Sequence, residues 1–235
     1  QTDLSIPLGL TQPSVSRMVS ALCSAGILRL GKAELDGGKG KPSPTLEIHA
    51  DFSCAVGLSI AADSWSLCLV DLAGVVHELR PDMPYSGKPS EILPALRDHI
   101  MAMIDRAGFA LERVAGLSIA ISGFRVYGHA RFNTPASLED FGLVDLEALF
   151  SEATGLPCRA ENDGKAATLA EAMIGHGRTY RDFAYLYFAT GVGGGVVIDG
   201  RLFRGRNGNA GEFGGAQPLL GTRQPASLER LRQIL

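Results

Sequence analysis

Between residues 51 and 175, short apolar runs alternate with helix-length segments in the order β-β-β-α-β-α-β-α, and few folds accept that order. CAVGLSIA, SLCLVD and GVVHELR read as three strands in close succession, the last two joined by an Ala-Gly turn. A helix follows over 90–107, with Ser90 as its cap and Ile92, Leu96, Ile100, Met103 and Ala107 as its buried stripe. VAGLSIAIS then reads as a fully buried strand, LVDLEALFSEAT as a helix, CRAE as a brief strand and GKAATLAEAMIG as a further helix. Three antiparallel strands extended by parallel ones through crossover helices make an α/β layer, which places ligands at the carboxyl ends of its strands. FAYLYFATGVGGGVVIDGRLFRG opens a second round, two strands and a third joined by a DG turn, so a two-lobed chain with a cleft between similar lobes is expected.

The first fifty residues have a different texture. A short apolar segment, a Gly-Leu turn, then Thr11 as N-cap and Pro13 in the first turn of the next helix spell helix, turn, helix. Val15, Met18, Val19 and Leu22 share one face of the second helix. That leaves Ser16, Arg17 and Ser20 on the other face, with Gln12 and Ser14 near the N-terminus, a polar surface suited to a major groove. Gly26 ends the helix, and ILRLGKAEL and TLEIH read as two strands around DGGKGKPSP, a wing whose Lys39 and Lys41 suit the phosphate backbone. The segment holds five Lys/Arg against four Asp/Glu, so it is not strongly basic. DNA binding is the favoured reading because cap, turn and wing occur in order; the alternative is a plain helical interaction module.

No apolar stretch approaches the roughly 18 to 20 residues of a membrane span, and a chain of 235 residues with a formal net charge of −3 fits a cytoplasmic globular protein. Cys23, Cys54, Cys68 and Cys158 are scattered without CxxC spacing and are expected as reduced core thiols. The five histidines are likewise dispersed, so no metal site and no cofactor is proposed from spacing. The glutamine at the start and the helix-like SLERLRQIL at the end lead to the expectation that the chain is cut from something longer.

AENDGKAATLAE at 160–171 resembles the END motif and following helix of the ROK family of repressors, open reading frames and sugar kinases. ATGVGGGVVIDGRLFRGRNGNAGEFGG at 189–215 is similar to the second phosphate segment of that family and its sugar-contacting glutamate. The resemblance implies an α/β fold of the actin-like ATPase (ribonuclease H-like) type with two lobes, and a preceding winged helix-turn-helix is similar to the family's transcriptional-regulator branch. The expected division is a reading head over 1–50, a first lobe over 51–160 and the start of a second over 161–235. By the same resemblance Asn162, Asp163, Glu212, Glu229 and Asn133 are the sugar or effector contacts, and Asp163 matches the general base of kinase relatives. Carboxylates accept from paired hydroxyls, and an amide both donates and accepts. For Asn162 and Asp163, capping of the following helix is an equally good additional role.

Two departures from the family pattern separate the branches. Where kinases carry a D-x-G-G-T hairpin for ATP phosphates, this chain has Ser59, Ile60, Ala61, Ala62 and Asp63. The metal-side carboxylate is gone, and an Asp63 charge at about 4 Å in an effective dielectric near 20 would repel each phosphate charge by on the order of 4 kcal/mol. The bland reading is a packed strand turn with Asp63 in solvent. Gly215, Leu220, Thr222 and Ser227 stand where the family's structural zinc has its histidine and cysteines, so that site is not expected here. The expectation is therefore a DNA-binding regulator, a repressor, that senses a carbohydrate as a homodimer or higher homo-oligomer on operator DNA. An ATP-dependent sugar kinase is the alternative. On this reading the glycines of ATGVGGG are the tight turn between two strands.

Overall fold

Helices α1 (Thr2–Leu8) and α2 (Gln12–Ser24) are joined through Gly9, and α2 ends where Gly26 takes φ +76°. There the amide of Gly26 bonds the carbonyl of Cys23, and that of Ile27 bonds Leu22, closing the helix with a Schellman pair. Strands β1 (Leu28–Ala33) and β2 (Pro44–Ile48) follow as an antiparallel ribbon. The computed structural model describes residues 2–33, 44–84, 89–126, 130–189 and 191–215. Lys39, Lys41, Leu220, Thr222, Ser227 and Glu229 lie outside the described residues.

Three details of the first helices depart from expectation. Val15 and Val19 are buried at 2% and 6% exposure, while Met18 and Leu22 are exposed, so the buried stripe is one i, i+4 pair wide. Thr11 occupies the N-cap position, but its hydroxyl meets Ser14 Oγ at 3.0 Å and bonds no backbone amide. The third helix begins at Pro89, which puts Ser90 inside it and not at its cap.

Strands β3 (Cys54–Ile60), β4 (Ser64–Asp71) and β5 (Val76–Pro84) form an antiparallel meander. After helix α3 (Pro89–Arg106), strand β6 (Val114–Ile121) pairs parallel with β3. A small ribbon, β7 (Phe124–Arg125) with β8 (Phe132–Asn133), precedes helix α4 (Leu146–Thr154), and strand β9 (Cys158–Asn162) pairs parallel with β6. The sheet order is β5-β4-β3-β6-β9, the mixed arrangement that the alternation of runs predicts. Alternate residues of β3, Cys54, Val56, Leu58 and Ile60, join Leu96, Ile100 and Met103 of α3 and Leu146 and Phe150 of α4 in one core. Asp145 caps α4 by accepting from Ala148 N–H at 3.1 Å.

The outer strand β9 is closed by side chains. Glu147 accepts the Ala160 amide at 3.0 Å, and the Arg125 guanidinium donates to the Ala160 carbonyl. A charged side chain on each polar group blunts an edge that otherwise invites pairing with another chain.

Helix α5 (Asp163–Ile174) leads into β10 (Phe183–Phe188), β11 (Val192–Ile198) and β12 (Arg201–Phe203), an antiparallel sheet in that order. Asp199 and Gly200 both take positive φ in the tight turn between the last two strands, as a DG hairpin requires. Among the described residues no helix is long and apolar enough to cross a membrane. Cys54 and Cys158 are buried and Cys23 and Cys68 half-buried, all as free thiols; burial pushes the thiols of Cys54, Cys68 and Cys158 up.

Candidate functional site

Strands β6 and β9 run parallel, with Ile121 paired to Asn162, so both end at one level and release their next residues side by side. From β6 come Ser122 and Gly123; from β9 come Asn162 and Asp163 at the start of α5. Asn162, 5% exposed, accepts from Lys165 N–H at 3.0 Å through its carbonyl and donates to the Gly123 carbonyl at 3.1 Å through its amide. It is both the N-cap of α5 and the tie between two strand ends. Asp163 accepts from Gly164 N–H at 2.8 Å and, through its other oxygen, from the Ser122 hydroxyl. A Cβ on Gly193 would lie 3.8 Å from Gly164 Cα and 3.9 Å from the Tyr187 ring, which places that ring beside the start of α5. Burial pushes the Tyr187 phenol up, and the charges of Asp163 and Tyr185 add to it.

Glu212 reaches this level from the turn after β12. Its Oε1 accepts from the ammonium of Lys165 at 2.5 Å, and Lys165 is fully buried at 0% exposure. A cation taken wholly out of water needs a counter-charge beside it, and Glu212 supplies it. Two further links hold the segment that carries Glu212. Arg204 pairs with Glu161, and the Asn209 side chain accepts from the Arg125 amide at 2.9 Å while donating to the Arg125 carbonyl at 2.8 Å. The Arg125 guanidinium lies 4.9 Å from the centre of the Phe132 ring.

Of the expected contacts, Asn162, Asp163 and Glu212 therefore come together. Asn133, on β8, has an exposed side chain, and its backbone borders the cluster: a Cβ on Gly123 would lie 2.7 Å from the Asn133 carbonyl oxygen. Glu229 lies outside the described residues. Ser122, Arg125 and Lys165 escaped the sequence reading. For Lys165 a signal existed: it stands three residues before Thr168 on the face that α5 buries, the only cation in GKAATLAEAMI.

The turn between β10 and β11 takes only the first glycine of the run, Gly191. Gly193, Gly194 and Gly195 lie inside β11, and the chain reverses at Ala189–Gly191, where the Ala189 amide bonds the Gly191 carbonyl at 3.0 Å. At φ +150°, Gly194 sits where a Cβ would fall 2.0 Å from the Tyr185 carbonyl oxygen. A Cβ on Gly195 would lie 2.7 Å from Thr168 Oγ1, and one on Gly211 2.7 Å from Gly195 Cα. The missing side chains let α5, β11 and the Glu212 segment touch through bare backbone. That contact sets the distance between Lys165 and Glu212.

The first hairpin is closed by Ala61 N–H donating to the Ser64 carbonyl at 2.8 Å. Ser59, Ala61, Ala62 and Asp63 are exposed, and Asp63 accepts from the Ser64 hydroxyl at 3.2 Å. This is the strand turn with Asp63 in solvent. On α2, Gln12, Arg17 and Ser20 are exposed, and Ser14 and Ser16 half-buried, around the Val15–Val19 contact. Among the described residues no group of three or more His, Cys, Asp or Glu could hold a metal ion. A depression of about 580 Å³ bounded by Gly116, Pro157 and Glu147 lies at the opposite ends of β6 and β9, away from this cluster.

The model of the ROK family matches residues 55–222. The xylose repressor of Bacillus spizizenii is 26% identical over 220 residues, covering 91% of this chain and 55% of its own length. The beta-glucoside kinase of Listeria innocua is 30% identical over 148 residues, covering 61% of this chain and 50% of its own. The crystal structure of a ROK family transcriptional regulator, a homologue of the Escherichia coli Mlc protein, matches with a TM-score of 0.73 at 22% identity, over 99% of this chain and 61% of that one. The fold is thus the α/β, actin-like ATPase type. The chain spans about half the length of the curated relatives it matches.

Proposed function

The chain belongs to the ROK family, and on that premise we propose that it is a DNA-binding transcriptional regulator, a repressor, that senses a carbohydrate and has no useful kinase activity. One observation carries the reading. The match to the xylose repressor covers 91% of the chain, and residues 51–235 number only 185 of 235, so that likeness necessarily enters the first fifty residues. The likeness to the beta-glucoside kinase, at 61%, needs none of them.

In this reading residues 1–50 are a winged helix-turn-helix. Gln12, Ser14, Ser16, Arg17 and Ser20 of α2 face the major groove, and Lys39 and Lys41 of the wing lie along phosphates. Residues 51–160 and 161–235 belong to the sensing lobes. The effector is a polyol at the ends of β6 and β9, held by Asp163 and Glu212 with Asn133, Asn162 and Glu229. The exposed Asp63 and the Ala61–Ala62 methyl groups oppose ATP phosphates at the first hairpin. An effector that favours one arrangement of a homodimer changes the spacing of two reading heads over two operator half-sites, in the cytoplasm.

The second reading, an ATP-dependent sugar kinase, draws on the beta-glucoside kinase likeness and on Asp163 in the general-base position. A mobility shift with genomic fragments at two salt concentrations, run beside an ATP-dependent phosphorylation assay over a sugar panel, tests the two together. Salt-sensitive DNA binding without turnover is expected. Turnover that vanishes in Asp163→Ala, with no DNA bound, establishes the kinase instead.

A further inference from the structure

Lys165 combines three properties that meet nowhere else among the described residues. It is a cation at 0% exposure, it sits two residues after Asp163 on the first turn of α5, and its ammonium donates to Glu212 Oε1 at 2.5 Å. No hydrogen bond to the other oxygen, Oε2, is made by any described residue. A free carboxylate accepts a vicinal pair of hydroxyls, one on each oxygen. A carboxylate held through one oxygen by a buried ammonium presents the other.

We propose that Lys165 is the positioning residue of the effector site and decides how Glu212 reads its ligand. By fixing Oε1 it leaves Oε2 as the acceptor for a single hydroxyl, and it removes most of the negative charge that Glu212 would otherwise present. The site then takes a neutral polyol, gripped at this corner by one hydroxyl and not by a pair. The segment cannot swing to offer both oxygens. Gly211 packs on Gly195, and Asn209 is bonded twice to the backbone of Arg125. The proposal rests on the reading of Glu212 as an effector contact.

The test is calorimetric titration of the full chain with D-xylose, D-glucose and cellobiose, and with monodeoxy forms of whichever binds. Wild type is expected to bind at least one of the three and to lose at least tenfold in affinity when one particular hydroxyl is removed. In Lys165→Met, close in length and uncharged, affinity is expected to fall at least tenfold and the penalty for that missing hydroxyl to shrink to within threefold. A residue of merely structural importance would leave the penalty unchanged. If Lys165→Met does not fold, Lys165→Arg keeps the buried charge but moves the donor, and is expected to show the same loss of discrimination. Wild-type binding with discrimination retained in these variants overturns the role of Lys165 alone. No binding of any sugar by wild type overturns the effector reading, and this inference falls with it.

Discussion

Gly164 and Gly194 bring α5 and β11 so close that a Cβ on Gly164 would lie 2.5 Å from the Gly194 backbone nitrogen. Two effects of opposite sign therefore compete in Gly164→Ala. Replacing a helical glycine by alanine stabilises by about 0.5–1 kcal/mol through backbone entropy. Forcing a methyl group into backbone contact costs about 1–3 kcal/mol. Packing is expected to win, with a net loss of about 1–2 kcal/mol in urea unfolding. A gain in stability would show that α5 and β11 are not in contact.

Asn162 satisfies two buried groups with one side chain, the Lys165 amide and the Gly123 carbonyl. Asn162→Ala is expected to cost about 2 kcal/mol, a lost cap plus an orphaned carbonyl. Asn162→Asp keeps the cap oxygen and puts an anion against the Gly123 carbonyl, so it recovers only part of that loss. Chemical denaturation of the two variants separates the terms. Equal stabilities of wild type and Asn162→Ala would refute the double role.

Asp71 is a pH-sensitive group of the five-stranded sheet. Burial works to raise its carboxyl, but hydrogen bonds from Val75 N–H, the His77 ring and Ala73 N–H outweigh that and hold it below the usual carboxylate range. A folded-state value below the unfolded one contributes stability that is full above the unfolded value of about 4 and is lost as pH falls through the folded one. Asp71→Asn is thus expected to be less stable than wild type by about 1–2 kcal/mol at pH 7, with the gap closing below about pH 4. Thermal melts from pH 7 to pH 3 measure it. A gap that widens on acidification would contradict the assignment.

Arg17 is exposed on α2, and the proposed reading assigns Lys41 to the wing loop. If each neutralises a phosphate, Arg17→Ala and Lys41→Ala should each weaken binding and lower the slope of log K against log salt by about 1. Fluorescence anisotropy on a labelled operator fragment reads both quantities. Unchanged slopes would remove these two residues from the DNA contact.

The layer order was legible in the sequence because its strands and helices differ in period and length: β3 buries every second residue and α3 keeps Leu96, Ile100 and Met103 inward. The local errors have two causes: burial depends on neighbours distant in sequence, and a capping hydroxyl can be taken by a nearby side chain. Met18 and Leu22 are apolar and in phase with Val15 and Val19, yet among the described residues they remain exposed. Thr11 stands at the N-cap, but its hydroxyl goes to Ser14. At the site, Asn162, Asp163 and Glu212 were found because a family motif marks them. Ser122 was not, since its partner lies 41 residues away and leaves no local signal; Lys165 was not, because its place on the buried face of α5 marks it as unusual without pointing to Glu212, 47 residues on. Gly193, Gly194 and Gly195 were misread as part of the turn for the same reason. What their bare backbone meets, Thr168 and Gly164, lies on a helix earlier in the chain.

The most direct measurement is DNA affinity with and without sugar on the same sample. Anisotropy of an operator fragment selected from genomic DNA is recorded against protein concentration in the presence and absence of D-xylose, D-glucose and cellobiose, with ATP turnover followed in parallel. The account predicts a DNA complex whose affinity changes at least tenfold with one of these sugars, a coupling of about 1.4 kcal/mol or more, and no phosphorylation above background. A chain that phosphorylates a sugar through Asp163 while its DNA affinity ignores every sugar would contradict it.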